Sequence, residues 1–162
     1  AALGDPRAYA PYRDEQTPFD ETLSIPASQS GGDLRQLAGI TRCVRTYATH
    51  QGLAEVPRIA QDLGMKVMLG VWIGREQKKN QREIETAIAL ANRYPNTVTA
   101  VIVGNEVLLR REQPEAALAD MISRVRRAVP VPVTYADVWE FWLKHPGIAN
   151  VVDFITIHTL PY

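Results

Sequence analysis

The stretch that most limits the fold is VTAVIVGNEV, from Val98 to Val107. Val98 to Val103 form a nearly unbroken apolar run rich in β-branched side chains, long enough for a strand and too short for an amphipathic helix. A strand without polar alternation is covered on both faces, which is how a parallel sheet buries itself. The run stops at Gly104, and two hydrogen-bonding side chains, Asn105 and Glu106, stand where the strand should end. In parallel α/β barrels that end carries the chemistry, although a Glu entering a helix is more often an ordinary first-turn carboxylate.

Shorter apolar runs occur at residues 43–47 (CVRTY), 66–72 (KVMLGVW), 131–136 (VPVTYA) and 152–157 (VDFITI), with a weaker one at 8–12 (AYAPY). Helix-period stripes fill the gaps. Ser30, Gly31 and Gly32 read as punctuation before a short stripe of Leu34, Leu37 and Ala38 that ends at Gly39. Leu53, Val56, Ile59, Ala60 and Leu63 form the next, with Gly64 as its left-handed stop. Asn80 and Glu83 resemble a capping pair ahead of Ile84, Ala87, Ile88 and Ala91. Pro114 suits the first turn before Leu118, Met121, Ile122, Val125 and Val129, and VWEFWL is a short helix from Val138.

Strict β-α alternation predicts parallel strands with helices outside. An open doubly wound sheet and a closed (β/α)8 TIM barrel both satisfy it. The open sheet would bring a Gly-rich phosphate loop after its first strand, and GGDL at Gly31 follows no buried strand. Chemistry-bearing residues fall after several successive strands, the habit of the barrel. The pattern holds about six of the eight β/α units a barrel needs, so the expectation is an incomplete barrel, or else an open sheet.

With 162 residues, the whole of 1–162 reads as one domain. Lys plus Arg and Asp plus Glu balance at 18 each, leaving no net field to draw nucleic acid or an anionic membrane. The partner expected is neutral or small. No window approaches the roughly 18 to 20 apolar residues of a spanning helix, and AALGDPR lacks the regions of a signal peptide, so any export or anchoring segment would lie outside this stretch. The single Cys43 sits in an apolar run and reads as a buried, reduced, inert thiol.

Aligned as parallel neighbours, the strands carry at their C-terminal ends Tyr9 and Tyr12, then Tyr47 with Thr49 and His50, then Trp72, then Asn105 and Glu106, then Tyr135 and Asp137, then His158 and Tyr162. Aromatic faces with carboxylates and amides suit a neutral polyhydroxylated ligand, whose C–H faces stack on rings while its hydroxyls meet polar groups. Against that reading, Trp72, Trp139 and Trp142 are more often packing residues, and Trp72 is singled out only because it ends a strand. Arg45, inside a strand, reads as an ion-pair or carboxylate-orienting group. His50 and His158 are far apart in sequence, and no metal-binding spacing is present, so neither a metal nor a cofactor is expected.

The strings RTYATHQGL, MLGVWIGRE, VIVGNEVLLR, TYADVWEFW and HTLPY, in that order, resemble glycoside hydrolase family 17, the β-1,3-glucanases and β-1,3-glucan transglucosylases, most nearly its bacterial branch. The resemblance runs from about Tyr9 to Tyr162. It implies a (β/α) barrel, a retaining mechanism and a β-glucan substrate, with Glu106 as general acid/base and Asn105 as partner of the sugar 2-hydroxyl. Tyr162 is similar to the family's tyrosine near the nucleophile, and Tyr9 to its first-strand tyrosine in the cleft. Export to the periplasm or exterior, or membrane attachment through segments outside this stretch, is also implied.

Retaining hydrolysis needs a second carboxylate roughly 5 Å from the first, and the family's nucleophilic Glu ends the seventh strand. No carboxylate here matches it, and Asp137 reads as a substrate contact. The expectation is therefore a fragment, or an assembly completed by a second copy or chain. A non-catalytic β-glucan-binding module is the alternative of another class, and a metal-dependent barrel hydrolase using His50, Glu106, Asp137 and His158 is a third.

Overall fold

A computed structural model describes residues 7–10 and 24–158. Among the described residues, six parallel strands form one sheet in the order of the chain: β1 (Arg7–Ala8), β2 (Cys43–Arg45), β3 (Lys66–Val71), β4 (Val98–Asn105), β5 (Val133–Val138) and β6 (Thr156–His158). Between them lie α1 (Ala27–Ala38), α2 (Val56–Asp62), α3 (Gln77–Arg93), α4 (Glu115–Ala128), α5 (Trp139–Lys144) and α6 (Pro146–Ala149).

The strand order decides between the two architectures left open by the sequence. A doubly wound sheet reverses its strand order at a switch point, putting helices on both faces. Here each strand pairs with the next, and right-handed crossovers then place every helix on one face, as in a barrel. The sheet also curls. Side chains stand roughly perpendicular to a sheet, and neighbouring strands lie about 4.8 Å apart. Arg45 of β2 and His158 of β6 nevertheless both reach Asn105 of β4, which they can do only on the concave side of an arc.

The core fills the space between sheet and helices. Val67, Leu69 and Val71 of β3, Val101 and Val103 of β4, and Val133 and Tyr135 of β5 meet Ile84, Ala87 and Ala91 of α3 and Leu118, Ile122 and Val125 of α4. At about 25 cal/mol per Å² of apolar area, burial of this layer dominates the stability of the fold. Gly64 closes the turn after α2 at φ +69, as its position in the sequence predicts.

Three local expectations are corrected. Ser30, Gly31 and Gly32 lie inside α1 and do not punctuate; Ser30 and Gly31 are buried, and small residues on that face let the helix pack closely on its neighbour α2. Asn80 and Glu83 do not cap α3, which begins three residues before Asn80. Both lie on its inward stripe, and their side chains bond to loops at the sheet's C-terminal rim, as described below. Asp137 and His158 lie within β5 and β6, which run further along the chain than the apolar runs suggested.

Candidate active site

Glu106 is presented by a backbone reversal at the end of β4. Gly104 has φ +89 and Glu106 φ +57, so Asn105 sits between two left-handed residues. Gly104 needs to be glycine on two counts: its φ, and a Cβ there would come within 2.9 Å of Val107 Cγ2 and 3.3 Å of the Tyr135 ring. Glu in that conformation costs roughly 1 to 2 kcal/mol, so the surroundings must impose it. They do: the Glu106 N–H donates to Ala136 O at 2.8 Å, and Glu106 O accepts from the Arg110 N–H at 2.9 Å. The carboxyl remains partly exposed at the rim.

Asn105 is held from both sides. Its Oδ1 accepts from Arg45 Nη2 at 2.8 Å and lies 2.8 Å from His158 Nε2. An amide oxygen only accepts, so the His158 proton resides on Nε2, and Nδ2 of Asn105 is turned away from both clamping groups. Burial, then the neighbouring Arg45 charge, holds His158 below its ordinary value of 6.5, keeping the ring neutral. Burial likewise lowers Arg45, with Tyr47 and Glu106 opposing the shift, and its guanidinium lies 4.6 Å over the Tyr47 ring. Arg45 therefore orients an amide, where the sequence suggested an ion pair or a carboxylate.

Trp72 follows β3 and is 36 % exposed, with Arg110 stacked 4.6 Å from its ring centroid. Its backbone N–H donates to Glu83 Oε1 at 2.9 Å. The same buried carboxylate accepts from the Thr49 N–H at 3.0 and 3.1 Å, accepts from the Thr49 hydroxyl, and lies 3.3 Å from His50 Nδ1. Asn80 bonds Gly74 through both its amide groups, at 2.8 Å each. Helix α3 thus fastens the loops after β2 and β3 together.

The structure brings together Asn105, Glu106, His158, Arg45 and, through Arg110, Trp72. It separates Tyr135 and Asp137 from them as ligand contacts. With the alternation of β5, Tyr135 falls on the helix side, buried against Trp142 with ring centroids 5.6 Å apart. Its hydroxyl donates to Asp137 Oδ2 and accepts from the Leu108 N–H at 3.0 Å; burial, then Asp137, pushes its pKa far up. Asp137 also accepts from the Val138 N–H at 2.8 Å and is fully buried. These two brace the turn that follows Glu106 and present no face to a ligand. Tyr9 is buried too, its hydroxyl donating to Asp33 Oδ2 at 3.1 Å. Tyr12 and Tyr162 lie outside the described residues. The four groups of the metal reading do not converge: His50 faces Glu83 and Asp137 faces Tyr135.

Sequence reasoning gave Glu83 only a capping role and passed over Arg110. The signals were there. Glu83, Ala87 and Ala91 form one buried stripe, which predicts a buried carboxylate. Arg110 follows Glu106 by four residues, the spacing of an ion pair across one turn.

Residues 7–162 match the family described as the BtgE/BtgC glycoside hydrolase domain. A glucan 1,3-beta-glucosidase of Schizosaccharomyces pombe is 32% identical over 142 residues, covering 80% of this chain and 44% of the relative. A probable glucan endo-1,3-beta-glucosidase, btgC, of Aspergillus clavatus is 26% identical over 86% of this chain and 22% of its own length. This chain therefore spans less than half of either curated relative. The crystal structure of a glycoside hydrolase family 17 beta-1,3-glucanosyltransferase from Rhizomucor miehei superposes with a TM-score of 0.80 at 27% identity, over 97% of this chain and 57% of that one. An active-site mutant of that Rhizomucor enzyme in complex with laminaritriose gives the same TM-score at 28% identity. These likenesses support the kinship with glycoside hydrolase family 17 drawn from the five sequence strings. On a match that runs from the first described strand to the last residue, the chain belongs to the BtgE/BtgC glycoside hydrolase domain family.

Proposed function

We propose that this chain forms the acid/base side of a retaining hydrolase or transglucosylase acting on β-1,3-glucans. The observation that carries the reading is Glu106, held in a costly left-handed conformation at the C-terminal rim beside an amide clamped by two donors. Strain that the surroundings enforce at a strand end is a mark of a working residue.

In the first step, protonated Glu106 gives its proton to the glycosidic oxygen while a second carboxylate attacks the anomeric carbon, and the bond to the leaving sugar breaks. In the second, ionised Glu106 takes a proton from water or a sugar hydroxyl, whose oxygen displaces the enzyme carboxylate. Water gives hydrolysis and a sugar hydroxyl gives transfer. The attacking carboxylate is the second group that the reaction requires, and the resemblance to glycoside hydrolase family 17 assigns it to the end of a seventh strand. Asn105 Nδ2 meets the sugar 2-hydroxyl, a contact that strengthens as the ring flattens. Trp72 and Tyr47 supply stacking surface, and His158 and Arg45 fix the amide. The laminaritriose bound to the Rhizomucor mutant supports a β-1,3-linked ligand. Kinship with the bacterial branch rests on the sequence strings alone, the relatives named above being fungal.

Glu106→Gln in the full-length protein tests the assignment. Turnover of laminari-oligosaccharides should fall by at least about a hundredfold, with binding retained, since general acid/base catalysis supplies about 10² to 10⁴ in rate. Unchanged turnover removes Glu106 from the mechanism. Wild-type protein that binds the oligosaccharides and releases no product would select the binding-module reading.

A further inference from the structure

Arg110 lies at the crossing of three parts of the rim. Its guanidinium carbon stacks on Trp72 at 4.6 Å, Nη2 donates to Asn105 O at 2.6 Å, Nε donates to Glu112 Oε1, and Nη1 lies 4.0 Å from Glu106 Oε2. One planar cation thereby touches the aromatic after β3, the last residue of β4 and the carboxyl after it. The segment that carries it is held in place independently. Leu108 N–H donates to Tyr135, Glu112 N–H donates to Val107 O at 3.0 Å, and Gln113 Nε2 donates to Gly74 O at 2.8 Å.

We infer that Arg110 is a positioning residue that ties the Trp72 sugar platform to the strand end carrying Asn105 and Glu106. The inference rests on the acid/base reading of Glu106 given above. The guanidinium of Arg110 stacks on one face of the indole, leaving the exposed remainder of the ring to a sugar. A lysine keeps the charge but loses the planar stack and the forked bonds to Asn105 O and Glu112, whereas methionine keeps apolar contact and loses the charge.

The test is kcat and KM for laminari-oligosaccharides in the full-length protein, for wild type, Arg110→Lys, Arg110→Met and Glu106→Gln. In Arg110→Lys the charge stays and the stacked fork is lost, so KM should rise about fivefold with kcat within about twofold of wild type. Arg110→Met should raise KM at least as much, because it loses both bonds of the fork as well as the charge. A wild-type KM in Arg110→Lys, or a kcat that falls as far as KM rises, overturns the inference. Should Arg110→Met fail to fold by circular dichroism, the KM of Arg110→Lys decides. Turnover retained in Glu106→Gln would instead sink the acid/base reading itself.

Discussion

The carboxylate of Glu83, on α3, accepts the backbone N–H of Trp72 at 2.9 Å, and with the same two oxygens it holds the N–H and hydroxyl of Thr49. A buried charge is retained in a structure only when its hydrogen bonds compensate its desolvation, and here the donors come from two different strand ends. Glu83 thus sets the spacing between the loop that carries Tyr47 and the indole of Trp72.

Glu83→Gln should therefore destabilise the full-length protein by about 2 to 3 kcal/mol, because a glutamine offers one acceptor oxygen and turns an N–H₂ group against a backbone donor. Urea unfolding with an unchanged slope and a lowered midpoint is the expected result. A midpoint within error of wild type would mean that the donors are satisfied otherwise.

Glu106→Gly should do the reverse. Glycine adopts φ +57 without a Cβ penalty, so relief of strain is worth about 0.5 to 1 kcal/mol, set against loss of a distant, partly exposed ion pair to Arg110. The variant should melt at or above the wild-type temperature and have no turnover. A Tm lowered by several degrees would show that the carboxylate stabilises its own conformation.

Arg45→Met leaves Asn105 Oδ1 with His158 as its single clamping donor. The amide can then rotate, and misplacement by an ångström costs on the order of a hundredfold in rate. The expected signature is a kcat for laminari-oligosaccharides reduced about ten- to a hundredfold, with KM changed much less. Equal losses in kcat and in oligosaccharide affinity would point to direct binding by Arg45.

His158 supplies a pH dependence whose sign follows from burial. Its pKa in the folded protein lies below the ordinary 6.5, so the unfolded chain binds more protons between the two values. Stability from this group is complete above pH 6.5 and is lost as pH falls from there towards the folded-state pKa. His158→Gln should flatten that part of the stability–pH curve, measured by thermal melts between pH 5 and about 7.5. A curve as steep as wild type would assign the slope to another group.

Much of this molecule is legible in its local pattern. Continuous β-branched runs such as Val98 to Val103 state a buried strand, and Leu118, Ile122 and Val125 state a helix with one apolar stripe, because periodicity needs only neighbouring residues. The Gly-Asn-Glu string stated a strand end with polar groups on it for the same reason. Other features required partners distant in sequence. The alternation of Tyr135 and Asp137 placed both on the helix side of β5, a matter of register that the apolar run VPVTYA could not express, since every residue of β5 from Val133 to Val138 is buried whichever face it takes. Asn80 and Glu83 fit a capping pattern locally, yet their donors lie on loops 6 to 34 residues away in the chain. The sequence by itself determined the order of strands and helices and the residue types at the rim. Only the tertiary structure decided which oxygen Arg45 and His158 share, that Glu106 is left-handed, and that one guanidinium joins Trp72 to it, because a polar atom's partner is set by chain segments that meet only after the sheet has curled.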